Sequence, residues 1–247
     1  MAELAEKMPP INMPIEKLKE WGKLWLGDVN PEKRTKKAKQ CFDKFQSVNF
    51  ASLIDMEFSK CLAEMLGGIP VKTSSKGLIP PTEDCVEVGA VKIIGGIRPQ
   101  NFDAVYRPDG PRIAFDSKTL NDIKSVGKNW QNMINDLATE ATTVHTRFPY
   151  AIVTFIVMIP KPCLGKKQQA DIIRTLERLG SRMNVMNQAH LAEAISLVIW
   201  DPLTGTIDDS IPPKNSILRI EKFSDTIFPH YKSRYKGLPP QAYGKNE

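Results

Sequence analysis

The chain predicts an α/β fold, a central mixed β-sheet flanked by helices with a helical extension at the N-terminus. Three observations predict it. Apolar residues recur at helical spacing through residues 50–66 and 121–143. Short strand-like segments separated by turn residues fill 85–118, and a near-continuous apolar run extends from Tyr150 to Ile159. The resulting order of helix, three strands, helix, strand, helix, strand is that of a layered α/β protein and not of a simple alternating doubly wound sheet.

The elements follow in order. The first 15 residues, with Pro9, Pro10 and Pro14, read as a loose arm. Ile15 to Leu26 is a short amphipathic helix carrying Leu18, Trp21, Leu24 and Trp25. Asn30-Pro31 is a good N-cap and N1 pair and opens a basic helix, EKRTKKAKQCFDKFQ. That charge run is either a solvated face or a phosphate-contacting one. The helix at 50–66 places Leu53, Ile54, Phe58, Cys61, Leu62 and Met65 on one broad face and stops at Gly67-Gly68. Residues 69–85 read as a loop. Strands are expected at 85–94, 101–107 and 112–118, the last two joined by the turn Pro108-Asp109-Gly110-Pro111. The helix at 121–143 turns Trp130, Met133, Ile134, Leu137, Ala138 and Ala141 to one side. A buried central strand follows at 151–159, then a helix at 166–180 and a strand at 194–200. The tail beyond Asp201 is rich in Pro, Lys and aromatics and receives no assignment. The expected organisation is an N-terminal extension (1–49), a core (50–205) and a tail packed on that core (206–247).

Composition narrows the class. The 247 residues suit one large domain, and 41% hydrophobic with 25% charged residues is ordinary globular composition, not that of a disordered chain. No apolar run reaches the roughly 18 residues of a membrane span, and the start of the chain does not read as a signal peptide. A cytoplasmic protein is therefore expected, with no membrane partner. Cys41, Cys61, Cys85 and Cys163 form no CxxC pair, which argues for reduced thiols over a zinc site or disulfide scaffold. His145, His190 and His230 show no ligand spacing, and there is no nucleophile elbow or P-loop. A net charge of +6 favours a polyanionic partner.

The chemistry concentrates in the hairpin. If Pro108 to Pro111 form the loop, Arg107 faces Arg112, and counting back pair by pair sets Asp103 opposite Asp116. Directly opposed residues have Cβ atoms about 4.5–5.5 Å apart. Lys118, two residues beyond Asp116, shares its face, while Ser117 points the other way with its carbonyl near the cluster. Two opposed carboxylates need a shared proton, a cation or a metal. Lys118 supplies one charge, and a divalent ion such as Mg²⁺, which takes one or two carboxylates and keeps several waters, would supply the rest.

Asp103 followed by Asp116-Ser117-Lys118 resembles the D…(D/E)-x-K signature of the PD-(D/E)XK (restriction-endonuclease-like) nucleases. The order of a Glu-bearing helix, a β-meander, a helix and a further strand is similar too, over roughly residues 50–160. The resemblance implies a restriction-endonuclease-like core and hydrolysis of DNA phosphodiesters. It further implies catalytic Asp103, Asp116 and Lys118, and a metal bound by Asp103, Asp116 and the Ser117 carbonyl. One or two Mg²⁺ ions are expected, with Mn²⁺ able to substitute. The literal Pro108-Asp109 is set aside, because Asp109 lies at the loop tip, about 13 Å along the strand from Asp116. Glu57, placed by the helical wheel between Leu53 and Cys61, is the third expected acid, with Glu64 its competitor. Gln131 is a possible supporting residue, and Lys124 and Lys128 are candidate phosphate contacts. A type II restriction-like enzyme acting on double-stranded DNA as a homodimer is the leading expectation. A repair, recombination or mobile-element nuclease, a catalytically inactive DNA-binding module on the same fold, and an unrelated α/β protein are the alternatives.

Overall fold

The computed structural model describes residues 3–27 and 40–240. The basic stretch expected as a helix from Pro31 lies largely outside the described residues, so its two readings are not distinguished.

Six strands form one mixed sheet in sequential order: β1 (Val71–Thr73), β2 (Val86–Ile94), β3 (Pro99–Tyr106), β4 (Ile113–Thr119), β5 (Ile152–Pro160) and β6 (Ala194–Trp200). The central meander β2–β3–β4 is antiparallel, and β1 joins β2, β5 joins β4 and β6 joins β5 in parallel. Parallel neighbours need crossovers. Helix α3 (Val126–His145) connects β4 to β5 and α4 (Lys166–Leu179) connects β5 to β6, and the two helices touch on one face of the sheet. Helices α2 (Lys44–Met65) and α5 (Ile220–Tyr235) cover the other face, α2 over β1 to β4 and α5 over β5 and β6. Phe58 of α2 meets Phe223 of α5 edge-on. β5 and β6 are buried at every position, as expected for strands covered on both faces.

The register of the central hairpin is the one expected: Ala104, Val105 and Tyr106 pair with Phe115, Ala114 and Ile113. Arg112 N–H closes the turn on the Tyr106 carbonyl, and its guanidinium grips Asp109 at 2.8 and 2.6 Å. Asp109 is thus committed to the turn, away from the sheet interior. On β2 the pairing slips between Val88 and Val91, a bulge in which Gly89 takes a φ of 93°.

Several boundaries differ from the sequence reading. Helix α2 begins at Lys44, capped by Asp43, whose side chain accepts from Gln46 N–H while the Gln46 side chain accepts in return. It therefore crosses the expected domain boundary at residue 50. The short strand β1 lies in the stretch read as a loop. Helix α5 occupies the unassigned tail despite Pro229 inside it, and buries Phe223, Ile227 and Tyr231. The N-terminal arm is not loose: Met8 and Ile11 belong to the main hydrophobic core, together with Leu18 and Trp25 of α1 (Ile15–Leu26). Ser224 donates to the Pro9 carbonyl at 2.7 Å, and Trp25 Nε1 to the Asn121 carbonyl at 2.6 Å. Among the described residues no helix is long and apolar enough to cross a membrane. All four cysteines are free thiols.

Candidate functional site

The β3–β4 ladder ends at Ala104–Phe115, and the carboxyl cluster forms where it ends. Beyond that pair the Ser117 N–H finds no strand partner. The Asp103 carboxylate takes its place, accepting from Ser117 N at 2.9 Å and from Ser117 Oγ at 3.2 Å. A side chain here replaces a backbone acceptor, which satisfies a buried amide and anchors the acid.

Alternation on β4 sorts the neighbours. Phe115 and Ser117 face α2, where Phe115 stacks on Phe58 with ring centroids 3.9 Å apart. Asp116 and Lys118 face α3. The Lys118 ammonium bonds the Asp116 carboxylate and, at 2.8 Å, Oε1 of Glu140 on α3. Asp103 lies between the two sides. It lies against the Asp116 carboxyl and, toward α2, it adds to the electrostatic field on Asp55.

The electrostatics follow from this crowding. Burial raises the Asp103 pKa to about 8, and the adjacent Asp116 carboxyl adds to the effect. Burial likewise raises Asp55 to about 8, with the Asp103 charge contributing. Asp116 is also raised by burial, but only to about 6, because it receives hydrogen bonds from Asp103 and Lys118. One proton shared by Asp103 and Asp116 relieves their repulsion at neutral pH, with Asp103 its carrier. Burial acts to lower the Lys118 pKa, yet Asp116 and Glu140 outweigh it and keep the ammonium charged.

The sequence-predicted residues distribute unevenly. Asp103, Asp116, Ser117 and Lys118 come together. Ser117 turns its side chain away from Asp116 and Lys118, as expected, and its hydroxyl and N–H donate to Asp103. Glu57 does not join them. It pairs with Lys60 at 2.8 Å at the edge of the helix, and Asp55 is the acid that α2 delivers. The buried side of α2 runs through Phe50, Ile54, Phe58 and Leu62 on to Ser59 and Ala63. Asp55 lies inside that arc, whereas Leu53, Glu57 and Cys61 lie at its border. Glu64, the competitor, is exposed. Gln131 is exposed as well. Nine residues separate it from Glu140, about two and a half turns, which points it to the opposite side of α3. Lys124 and Lys128 are exposed, just before and within the first turn of α3.

Glu140 was missed by the sequence reading, though the signal was present. It falls in the apolar stripe Met133, Leu137, Ala141, Val144, where a carboxylate needs a buried partner. Asp55, next to Ile54 and one turn before Ser59, carried the same signal.

Among the described residues, no three His, Cys, Asp or Glu side chains gather into a group able to hold a metal ion. The reason is the sheet itself: Asp55 is presented from one face, Asp116 and Glu140 from the other, and only Asp103 reaches toward both. Two oxygens in the cluster, Asp55 Oδ1 and Glu140 Oε2, are buried without a hydrogen-bond partner. No protein-family model matches this chain, and neither a curated protein nor a solved structure does.

Proposed function

We propose that the protein is a divalent-metal-dependent endonuclease acting on double-stranded DNA, of the PD-(D/E)XK kind. The observation that carries this reading is the contact between the Asp103 and Asp116 carboxyls, with the Lys118 ammonium bound to Asp116. The order α2, antiparallel meander β2–β4, α3, β5 supports it, as it matches the order of that family's core.

The cluster offers a Mg²⁺ ion two carboxylates, within the one or two that it takes, and no third His, Cys, Asp or Glu joins them among the described residues. Two hard-oxygen side chains share a proton that a cation would displace, which is the two-carboxylate arrangement Mg²⁺ accepts. Asp103, Asp116 and the Ser117 carbonyl would hold it. When bound, such an ion polarises a phosphodiester and lowers the pKa of its water. The protein's own residues do the rest. Ser117 fixes Asp103 through two hydrogen bonds, so one carboxylate keeps its aim. Lys118 presents a positive charge beside Asp116, where it orients a water or steadies charge building on the phosphate. Burial excludes competing solvent and strengthens each of these contacts. Exposed Lys124 and Lys128 and the net charge of +6 suit a DNA backbone. Cleavage of both strands would call for a two-fold homodimer.

Incubation of supercoiled plasmid with Mg²⁺ tests the reading, with wild type beside Asp116→Asn and Lys118→Met. Cleavage by wild type alone is expected, with discrete linear bands for a restriction-like enzyme and structure-selective nicking for a repair or mobile-element nuclease. Equal cleavage by all three proteins would overturn it. The closure of Lys118 between two carboxylates favours one other reading, a DNA-binding module without chemistry. Salt-sensitive DNA binding with no Mg²⁺-dependent cleavage would establish that alternative.

A further inference from the structure

We infer that Glu140 is a positioning residue that acts through Lys118, an inference that rests on the nuclease reading above. Glu140 is buried on α3 among Leu137, Ala141 and Val144. Its Oε1 accepts from Lys118 Nζ at 2.8 Å and from Gln100 Nε2 at 3.1 Å, and its Oε2 has no partner. A residue serving only to neutralise a buried lysine would be redundant here, because Asp116 already pairs with that ammonium.

The geometry shows what the second carboxylate does. Glu140 Oε1 is held from two sides, by Lys118 and, from the β3 side, by Gln100, so it fixes the ammonium against α3. Asp116, the other partner of Lys118, is the carboxylate that a divalent cation would engage. Glu140 would then be the anchor that keeps the ammonium in the site, and without it Lys118 and the cation would compete for one carboxylate.

The test has two arms. In protein with ¹⁵N-labelled lysine, the slowly exchanging ammonium resonance of Lys118 is identified by its loss in Lys118→Met. It is expected to persist when Mg²⁺ is added to wild type and to disappear under the same conditions in Glu140→Gln. In single-turnover plasmid cleavage, Glu140→Gln is expected to slow the reaction about 10–100-fold, the usual cost of removing a residue that orients a site group. Glu140→Asp, which keeps the charge, should fall between the two and guards against a folding defect in the amide variant. Combined with Lys118→Met, Glu140→Gln should add less than about a twofold further loss, because both act through one ammonium. An unchanged resonance in Glu140→Gln, or a full additive loss in the double variant, would overturn the assignment. Equal cleavage by wild type, Asp116→Asn and Lys118→Met would instead sink the nuclease reading. The resonance arm would still show whether Glu140 holds Lys118.

Discussion

Replacing Asp55 by Asn should change the pH dependence of stability more than it changes the fold. In the folded chain Asp55 and Asp103 titrate near pH 8, both raised chiefly by burial. In the unfolded chain each has an ordinary pKa of about 3.9. Between these values the native state holds a proton on each group and the unfolded state does not. Stability therefore falls as pH rises through the window, by at most about 1.4 kcal/mol per pH unit per group. Asn cannot ionise, so Asp55→Asn removes one group's share and leaves that of Asp103. Over the two units from about pH 5 to about pH 7, the variant should gain up to about 3 kcal/mol relative to wild type. Urea denaturation in the presence of EDTA, at three pH values across that window, measures the difference. Parallel profiles for the two proteins would show that Asp55 is ionised when folded and would refute the argument.

The same reasoning predicts that Mg²⁺ stabilises wild type more at pH 8 than at pH 6, since the cation displaces a proton from the Asp103–Asp116 pair; thermal unfolding should show the shift vanish in Asp116→Asn. Glu193, buried against Arg182, His145 and Arg234, should be costly to remove. Glu193→Ala is expected to lose about 3–5 kcal/mol in chemical denaturation, because two guanidinium groups are left without their carboxylate. Burial tends to raise the Glu193 pKa, but the hydrogen bond and charge of His145 and the charge of Arg234 bring it to about 2. Its contribution is thus complete above the unfolded value and fades in wild-type acid titrations as pH falls toward 2. Gly22→Ala should lower the melting temperature sharply, since an added Cβ would stand 1.8 Å from the Pro202 carbonyl oxygen where α1 crosses the β6 exit.

What could be read beforehand depended on whether geometry was local. The turn Pro108–Pro111 sets the hairpin register, so the approach of Asp103 to Asp116 followed from counting residues. Lys118 followed from strand alternation. Positions that depend on how a helix is rotated against the sheet were less accessible. The apolar positions of α2 span so broad an arc that its centre is ambiguous, and the choice of Glu57 over Asp55 came from centring it on Leu53 and Cys61. Packing against Phe115 through Phe58 rotates the helix the other way. Glu140 was hidden because the family resemblance points to an amide near the start of α3, Gln131, while the residue that meets Lys118 lies near its end. Helix α5 escaped because Pro229 breaks the pattern on which helix assignment relies.

The short pairing between β3 and β4 leaves a gap in the sheet plugged by one ionisable side chain, and the two helical layers are thereby in electrical communication. A protonation event beneath α2 is felt at the ammonium beneath α3, with Asp103 as the relay. Substitutions in the packing of α2 would consequently retune the ionisation of the cluster on the opposite layer.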